Sequence, residues 1–159
     1  MDKKKLILAF IEQLKTDLQA LIEAARATYE AATHEESKAE NQYDTRGLEA
    51  SYLAGAQAKR VSEIDEVLGL FQRGSFRNFQ AGDPIADSAL VEVESKKKRS
   101  YVFLLPTGGG VSLTFEGNPV HIITPNSVLG EAMMGLCSGD VAEIEIGDQI
   151  REYKILSVL

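Results

Sequence analysis

From Ile7 onward the chain repeats an apolar or small residue in alternating steps of four and three: Ile7, Ile11, Leu14, Leu18, Leu21, Ala25, Thr28, Ala32. Apolar positions that recur about every 3.5 residues form a helical seam that must be buried against a second helix. No proline or glycine occurs between residues 1 and 46, so only a polar stretch interrupts the pattern. A second seam follows at Tyr43, Gly47, Ala50, Ala54, Gln57, Val61, Ile64, Leu68 and Phe71. Laid antiparallel, the two seams set large residues against large ones at the base and small against small near the connection. The first half therefore predicts an antiparallel helical hairpin. At about 1.5 Å per residue, its helices of about 30 residues should project about 45 Å. Leu6, Phe10 and Ile22 widen the apolar side, enough for further packing at the base. A seam of this kind equally suits a coiled-coil dimer or a spacer.

The acidic stretch Thr33-His34-Glu35-Glu36-Ser37-Lys38-Ala39-Glu40-Asn41 connects the helices, and Asp44 follows closely. Glu36 and Glu40 are four residues apart, so a continuous helix would put both on one face. Such a like-charge pair is mildly unfavourable alone and becomes favourable on Mg²⁺, which takes one or two protein carboxylates and keeps several waters. Solvation is the ordinary fate of such a cluster, and both readings stand on the residues alone.

The helical pattern ends at Phe71-Gln72-Arg73-Gly74, with Gly74 where a C-terminal cap belongs. Residues 76–84 read as a linker, and from there the period changes. Strand patterns cover 89–94, 99–105, 111–115, 120–123, 140–146 and 149–158, with turns at 95–98, 107–110, 116–119 and 147–148. A short helix fits 126–135, capped by Asn126 or Ser127 and ended by Gly135. The expected fold class is α+β: a coiled-coil hairpin over 1–75, its acidic tip near 33–41, then a linker at 76–84 and a small α+β domain over 85–159.

Composition narrows the function classes. The net charge of −7 disfavours general binding to nucleic-acid phosphates. The single Cys137 allows neither an internal disulfide nor a cysteine pair for zinc, and a buried, inert thiol is expected. Glu12, Lys15 and Asp17 break the opening apolar run, so neither a signal peptide nor a membrane span is expected, and the expected location is the cytoplasm. His121 has no second ligand nearby. Thr107-Gly108-Gly109-Gly110 lacks a phosphate-loop Lys-Ser/Thr and precedes a strand, so it reads as a loop. The basic run Lys96 to Arg99 reads as a solvated turn, with contact to an acidic partner or RNA as its functional alternative. No nucleophile–base or metal-ligand constellation is visible, so no intrinsic enzyme activity is expected.

Two motifs carry a resemblance covering nearly the whole chain. His34-Glu35-Glu36-Ser37-Lys38-Ala39-Glu40-Asn41-Gln42-Tyr43-Asp44, continuing through Tyr52 and Gly55, resembles the tip of the bacterial Gre-type transcription elongation factors, H-G-D-L-x-E-N-x-E-Y-x. Asn126-Ser127-Val128-Leu129-Gly130-Glu131-Ala132-Met133-Met134-Gly135-Leu136-Cys137-Ser138-Gly139-Asp140 is similar to that family's N-S-P-[IL]-[AG]-x-A-L-[IL]-G-K-x-x-G-D segment. The resemblance implies that the C-terminal domain is FKBP-like and docks on the secondary-channel rim of core RNA polymerase through Asn126, Ser127, Val128, Leu129, Gly130, Met134 and Gly135. It implies that the hairpin enters the channel as a monomer and meets backtracked RNA. There, Glu36 and Glu40, with Glu35 and Asp44 alongside, would hold a Mg²⁺ shared with the polymerase, and no cofactor would be stably bound otherwise. The polymerase would then cleave its own transcript by two-metal hydrolysis. The departures are specific. Aligned without gaps, the family's tip Asp falls on Glu36 and its Glu on Ala39, and only a one-residue gap brings Glu40 into place. Val128 replaces Pro and Leu136 replaces Lys. A channel-binding regulator without cleavage, and a coiled-coil assembly protein, remain the alternatives, as does a weaker peptidyl-prolyl isomerase reading.

Overall fold

The computed structural model describes residues 1–33 and 46–159. Asp2 opens the first helix by accepting the main-chain N–H groups of Lys4 and Lys5 on Oδ1, at 3.0 and 3.2 Å, so donors that every helix start leaves orphaned are satisfied. α1 then runs Lys3–Thr33 and α2 runs Arg46–Arg73. Both are continuous across the expected spans. The chain divides into two units: Met1–Phe10 with Arg73–Leu159, and Ile11–Gln72. The first ten residues thus belong with the sheet, although they continue the same helix.

In the helical unit the seam is visible in burial. Ile11, Leu18, Leu21, Ala25 and Thr28 are half-buried and Leu14 is fully buried, while most positions between them are exposed. On α2, Ala54, Gln57 and Val61 are half-buried, and Ile64, Leu68 and Phe71 are buried together with Val67. Ile22, expected on the widened apolar side, instead faces solvent at 44% exposure: it lies next to the seam position Leu21 and off the stripe. The side chains of Gly47 and Ala50, and the connection at 34–45, lie outside the described residues.

The sheet unit contains six strands: β1 Leu90–Ser95, β2 Lys98–Leu104, β3 Ser112–Phe115, β4 Asn118–Ile123, β5 Val141–Ile146 and β6 Gln149–Val158. α3, Val128–Met133, lies between β4 and β5. The spatial order is β3-β4-β2-β1-β6-β5, antiparallel except where β2 runs parallel to β4. Tight turns close the hairpins. Lys96 and Lys97 both adopt left-handed φ, 51° and 62°, between the paired Ser95 and Lys98. This is the two-residue turn whose twist matches a hairpin and which normally selects Asn-Gly. Two lysines there cost about 1–2 kcal/mol each in backbone strain.

Alternation along the strands gives the sheet two buried faces. On one, Val91, Val93, Val102, Leu104, Ala142, Ile155 and Val158 pack with Met133 of α3, and with Phe79 and Ile85 from the segment leading into β1. A register shift opposite Glu92 and Val93 lets β6 place both Ile155 and Val158 on this face. The other face carries Leu90, Phe103 and Ile122, all essentially inaccessible. Phe103 meets Phe76 at 5.7 Å and Phe10 of α1 at 6.5 Å between ring centroids. The start of α1 therefore covers the face that α3 leaves open.

Lys3 belongs to this second core. It is 8% exposed, and its ammonium donates to the main-chain oxygens of Arg77 at 2.6 Å and Leu159 at 2.9 Å. The nitrogen also lies over the rings of Phe79 and Phe103, 5.2 and 5.7 Å from their centres. Main-chain oxygens and ring faces surround the cation, and burial pushes Lys3 down to about 8.

Candidate docking segment and acidic tip

Residues 124–140 form a compact turn–helix–turn. Ser127 caps α3: its Oγ accepts the Gly130 N–H at 3.1 Å and donates to the Thr124 carbonyl at 2.7 Å. A Cβ on Gly130 would collide with the Thr124 main-chain oxygen, so glycine is required for the loop to fold back over the helix. Gly135 ends the helix at φ 80°, and its N–H donates to Ile85 O at 2.9 Å while Ile85 N–H donates to Leu136 O at 2.8 Å. Asp140 closes the final turn by accepting the Cys137 N–H at 2.8 Å. Cys137 itself is half-buried, not fully enclosed as expected, because it sits on this surface turn with its thiol 3.6 Å from Gly82 O.

These contacts sort the expected docking residues. Gly130 is buried and Ser127 and Leu129 are half-buried, and all three hold the segment in shape. Asn126, Val128, Met134 and Gly135 are exposed, with Val128 at 65%. Met133 is fully buried and anchors α3 while its neighbour Met134 points outward. The exposed set gives a small apolar patch on a helix fixed from beneath, a geometry suited to contact with another protein surface. Leu136, at a departure from the Gre-type pattern, packs against the core cluster.

Glu35, Glu36, Glu40 and Asp44 lie outside the described residues, as does the Ala39 departure; the structure describes only α1 up to Thr33 and α2 from Arg46. Among the described residues no three His, Cys, Asp or Glu side chains are grouped so as to hold a metal. Tyr52, at the family's aromatic position, is 72% exposed, and beyond its chain neighbours and the backbone of its own helix nothing lies within 4 Å of where a Gly55 side chain would begin. His121 is exposed on β4. The glycine turn closes through Val111 N–H to Gly108 O at 3.1 Å. No described helix is long and apolar enough to cross a membrane.

One structural residue escaped the sequence reading. Lys3 falls within the run Met1-Asp2-Lys3-Lys4-Lys5 ahead of the opening apolar residues, to which the sequence reading gave no structural role. The available signal was its spacing, three before Leu6 and seven before Phe10, which puts it on the buried stripe.

No protein-family model matches the chain. Among characterised proteins, the chain is 26% identical over 163 aligned residues to the transcription elongation factor GreA of Methylococcus capsulatus, covering 99% of this chain and 98% of that factor. Among solved structures, it is similar to the GreA factor homolog Gfh1 of Thermus thermophilus at 20% identity, with 94% of each chain covered and a TM-score of 0.37. Gfh1 of Thermus aquaticus aligns at 18% identity, 92% of each chain and a TM-score of 0.38. A GreA/GreB factor from Nitrosomonas europaea aligns at 14%, over 70% of this chain and 91% of that one, with a TM-score of 0.36. The resemblance read from two motifs thus extends from end to end: this chain resembles a Gre-type transcription elongation factor over its whole length.

Proposed function

We propose that this chain is a Gre-like transcription factor that acts on core RNA polymerase, docking through the α3 segment on the secondary-channel rim and carrying its acidic hairpin tip inward. The observation that carries this reading is the GreA similarity, which spans 99% of the chain and so takes in the helices, the acidic connection and the sheet domain together. The exposed pair Val128 and Met134, on a helix anchored by Met133, supports this reading as the contact surface for the rim. In this account the protein has no chemistry of its own. Glu36 and Glu40 would help the polymerase hold a second Mg²⁺, and a paired metal stabilises both the attacking and the leaving oxygen in transcript cleavage.

The Ala39 departure favours a second reading, in which the chain occupies the channel without stimulating cleavage. A single carboxylate at Glu36, one methylene longer than Asp, shifts the ligand position, and errors near 1 Å cost about 100-fold in rate. Core polymerase immobilised on beads should retain the full-length chain and release it when a known secondary-channel factor is added. Absence of retention at micromolar concentration overturns the binding reading. Halted, backtracked complexes then separate the two activities. Shortening of the RNA that disappears in Glu36→Ala/Glu40→Ala supports cleavage, whereas binding without shortening supports the channel regulator.

A further inference from the structure

Between His121 and Asp140 the chain carries a single charged side chain, Glu131, and no Lys or Arg occurs anywhere from Ser100 to Ile150. The Gre-type pattern has a lysine where Leu136 stands. Here Leu136 is half-buried and packs against the core cluster, so the α3 segment presents one charge and that charge is negative. Val128, Glu131 and Met134 follow one another at steps of three, and all are exposed, while Gly130 and Met133 between them are buried. Residues three apart are neighbours on a helix surface, so α3 and its C-cap Met134 present a ridge that reads apolar, carboxylate, apolar.

Within the described residues Glu131 has no ion-pair partner. Arg77, on the segment leading into β1, is taken by Asp83 at 2.8 Å, and Arg151 of β6 stands opposite Ile144; neither pairs with Glu131. In water an exposed carboxylate needs no partner. The position changes when another protein covers the ridge, because burying Val128 and Met134 takes water from the carboxylate between them. A desolvated charge left unpaired is strongly unfavourable, whereas the same charge set against a cation is not. An acidic surface adds repulsion, and a wholly apolar one leaves the carboxylate stranded. The ridge therefore selects a surface with apolar contacts on either side of a Lys or Arg.

We propose that Glu131 is the specificity-determining residue of the α3 surface: it admits a polymerase surface that sets a cation between two apolar contacts and rejects one that is acidic or wholly apolar. This rests on the polymerase reading and adds the chemistry of the face that is recognised. The test measures retention of the full-length chain by immobilised core RNA polymerase across a salt series, for the wild type, Glu131→Gln, Glu131→Lys and Val128→Ser. Denaturation midpoints confirm that each variant is folded. At low salt Glu131→Gln should weaken binding about threefold, and Glu131→Lys about tenfold. Added salt should bring the wild type towards Glu131→Gln, because screening removes the same interaction. No retention of the wild type overturns the polymerase reading and this proposal with it. Loss of binding in Val128→Ser with unchanged binding in folded Glu131→Lys leaves the polymerase reading standing and overturns the role of Glu131. Tighter binding by Glu131→Lys, which would reveal an acidic partner surface, overturns it equally.

Discussion

The two units of this molecule use their apolar residues in different ways. The sheet unit fills both faces of a mixed sheet, with Phe103, Leu104, Met133 and Ile155 fully buried and α1 contributing Leu6 and Phe10. In the helical unit, full burial is confined to Leu14 and to the α2 positions Ile64, Val67, Leu68, Gly69 and Phe71. Among the described residues from 15 to 63, none is fully buried. The difference teaches where the stability lies and where it does not. On the helical side the seam is a stripe of half-buried Leu, Ala and Thr. The sheet core is the denser of the two, and residues Leu6 and Phe10 at the start of α1 belong to it.

The contrast can be broken by substitution. Phe103→Ala should cost about 3–5 kcal/mol in chemical denaturation, because it empties the contact shared by Phe10, Phe76 and Lys3. Leu18→Ala, on the half-buried seam, should cost only about 1 kcal/mol. Equal losses at the two sites would show that the helical unit is packed as tightly as the sheet.

A smaller effect of opposite sign tests the seam directly. The Oε1 of Gln57 is buried without a hydrogen-bond partner. Gln57→Leu should therefore stabilise the chain by about 1 kcal/mol, read as a higher denaturation midpoint with unchanged slope. Destabilisation by this change would mean that the seam needs the amide.

A further effect, read against pH, is expected at Lys3. Burial disfavours its charged form, so between pH about 8 and its unfolded value of 10.5 the unfolded chain binds more protons than the folded one. The Lys3 contribution is constant below that window and grows more favourable as pH rises through it. Thermal melts of the wild type and Lys3→Met should diverge in favour of the wild type between pH 8 and 10. A constant difference across that range would place the ammonium in a more polar setting than the geometry gives it.

Much of this architecture was legible because it rests on local rules. The described seam positions Ile11 to Thr28 and Ala54 to Phe71 are the half-buried and buried ones, and the turns at Lys96-Lys97, Glu116-Gly117 and Gly147-Asp148 fall between the strands they were expected to separate. Ser127 caps α3 as its position before the helix suggested, although α3 is shorter than 126–135 because the flanking residues are committed to loop contacts. Strand order was not legible: the parallel pairing of β2 with β4 joins segments whose patterns carry no record of direction. Nor could the sequence show that Leu6 and Phe10, which widen the stripe, have Phe103 as their partner. The segment 126–140 was recognisable as a motif, but its residues divide between shape and surface only once Gly130 is seen against Thr124. The Glu36 and Glu40 expectation rests on sequence alone.

The central claim is that the acidic tip is delivered into the polymerase. A photo-crosslinking amino acid placed at Gln42, in the full-length chain bound to core RNA polymerase, tests it most directly. Adducts to the largest polymerase subunits beside the catalytic Mg²⁺, lost on addition of a known secondary-channel factor, are the predicted result. Adducts confined to the outer polymerase surface, or to a second copy of this chain, would contradict it.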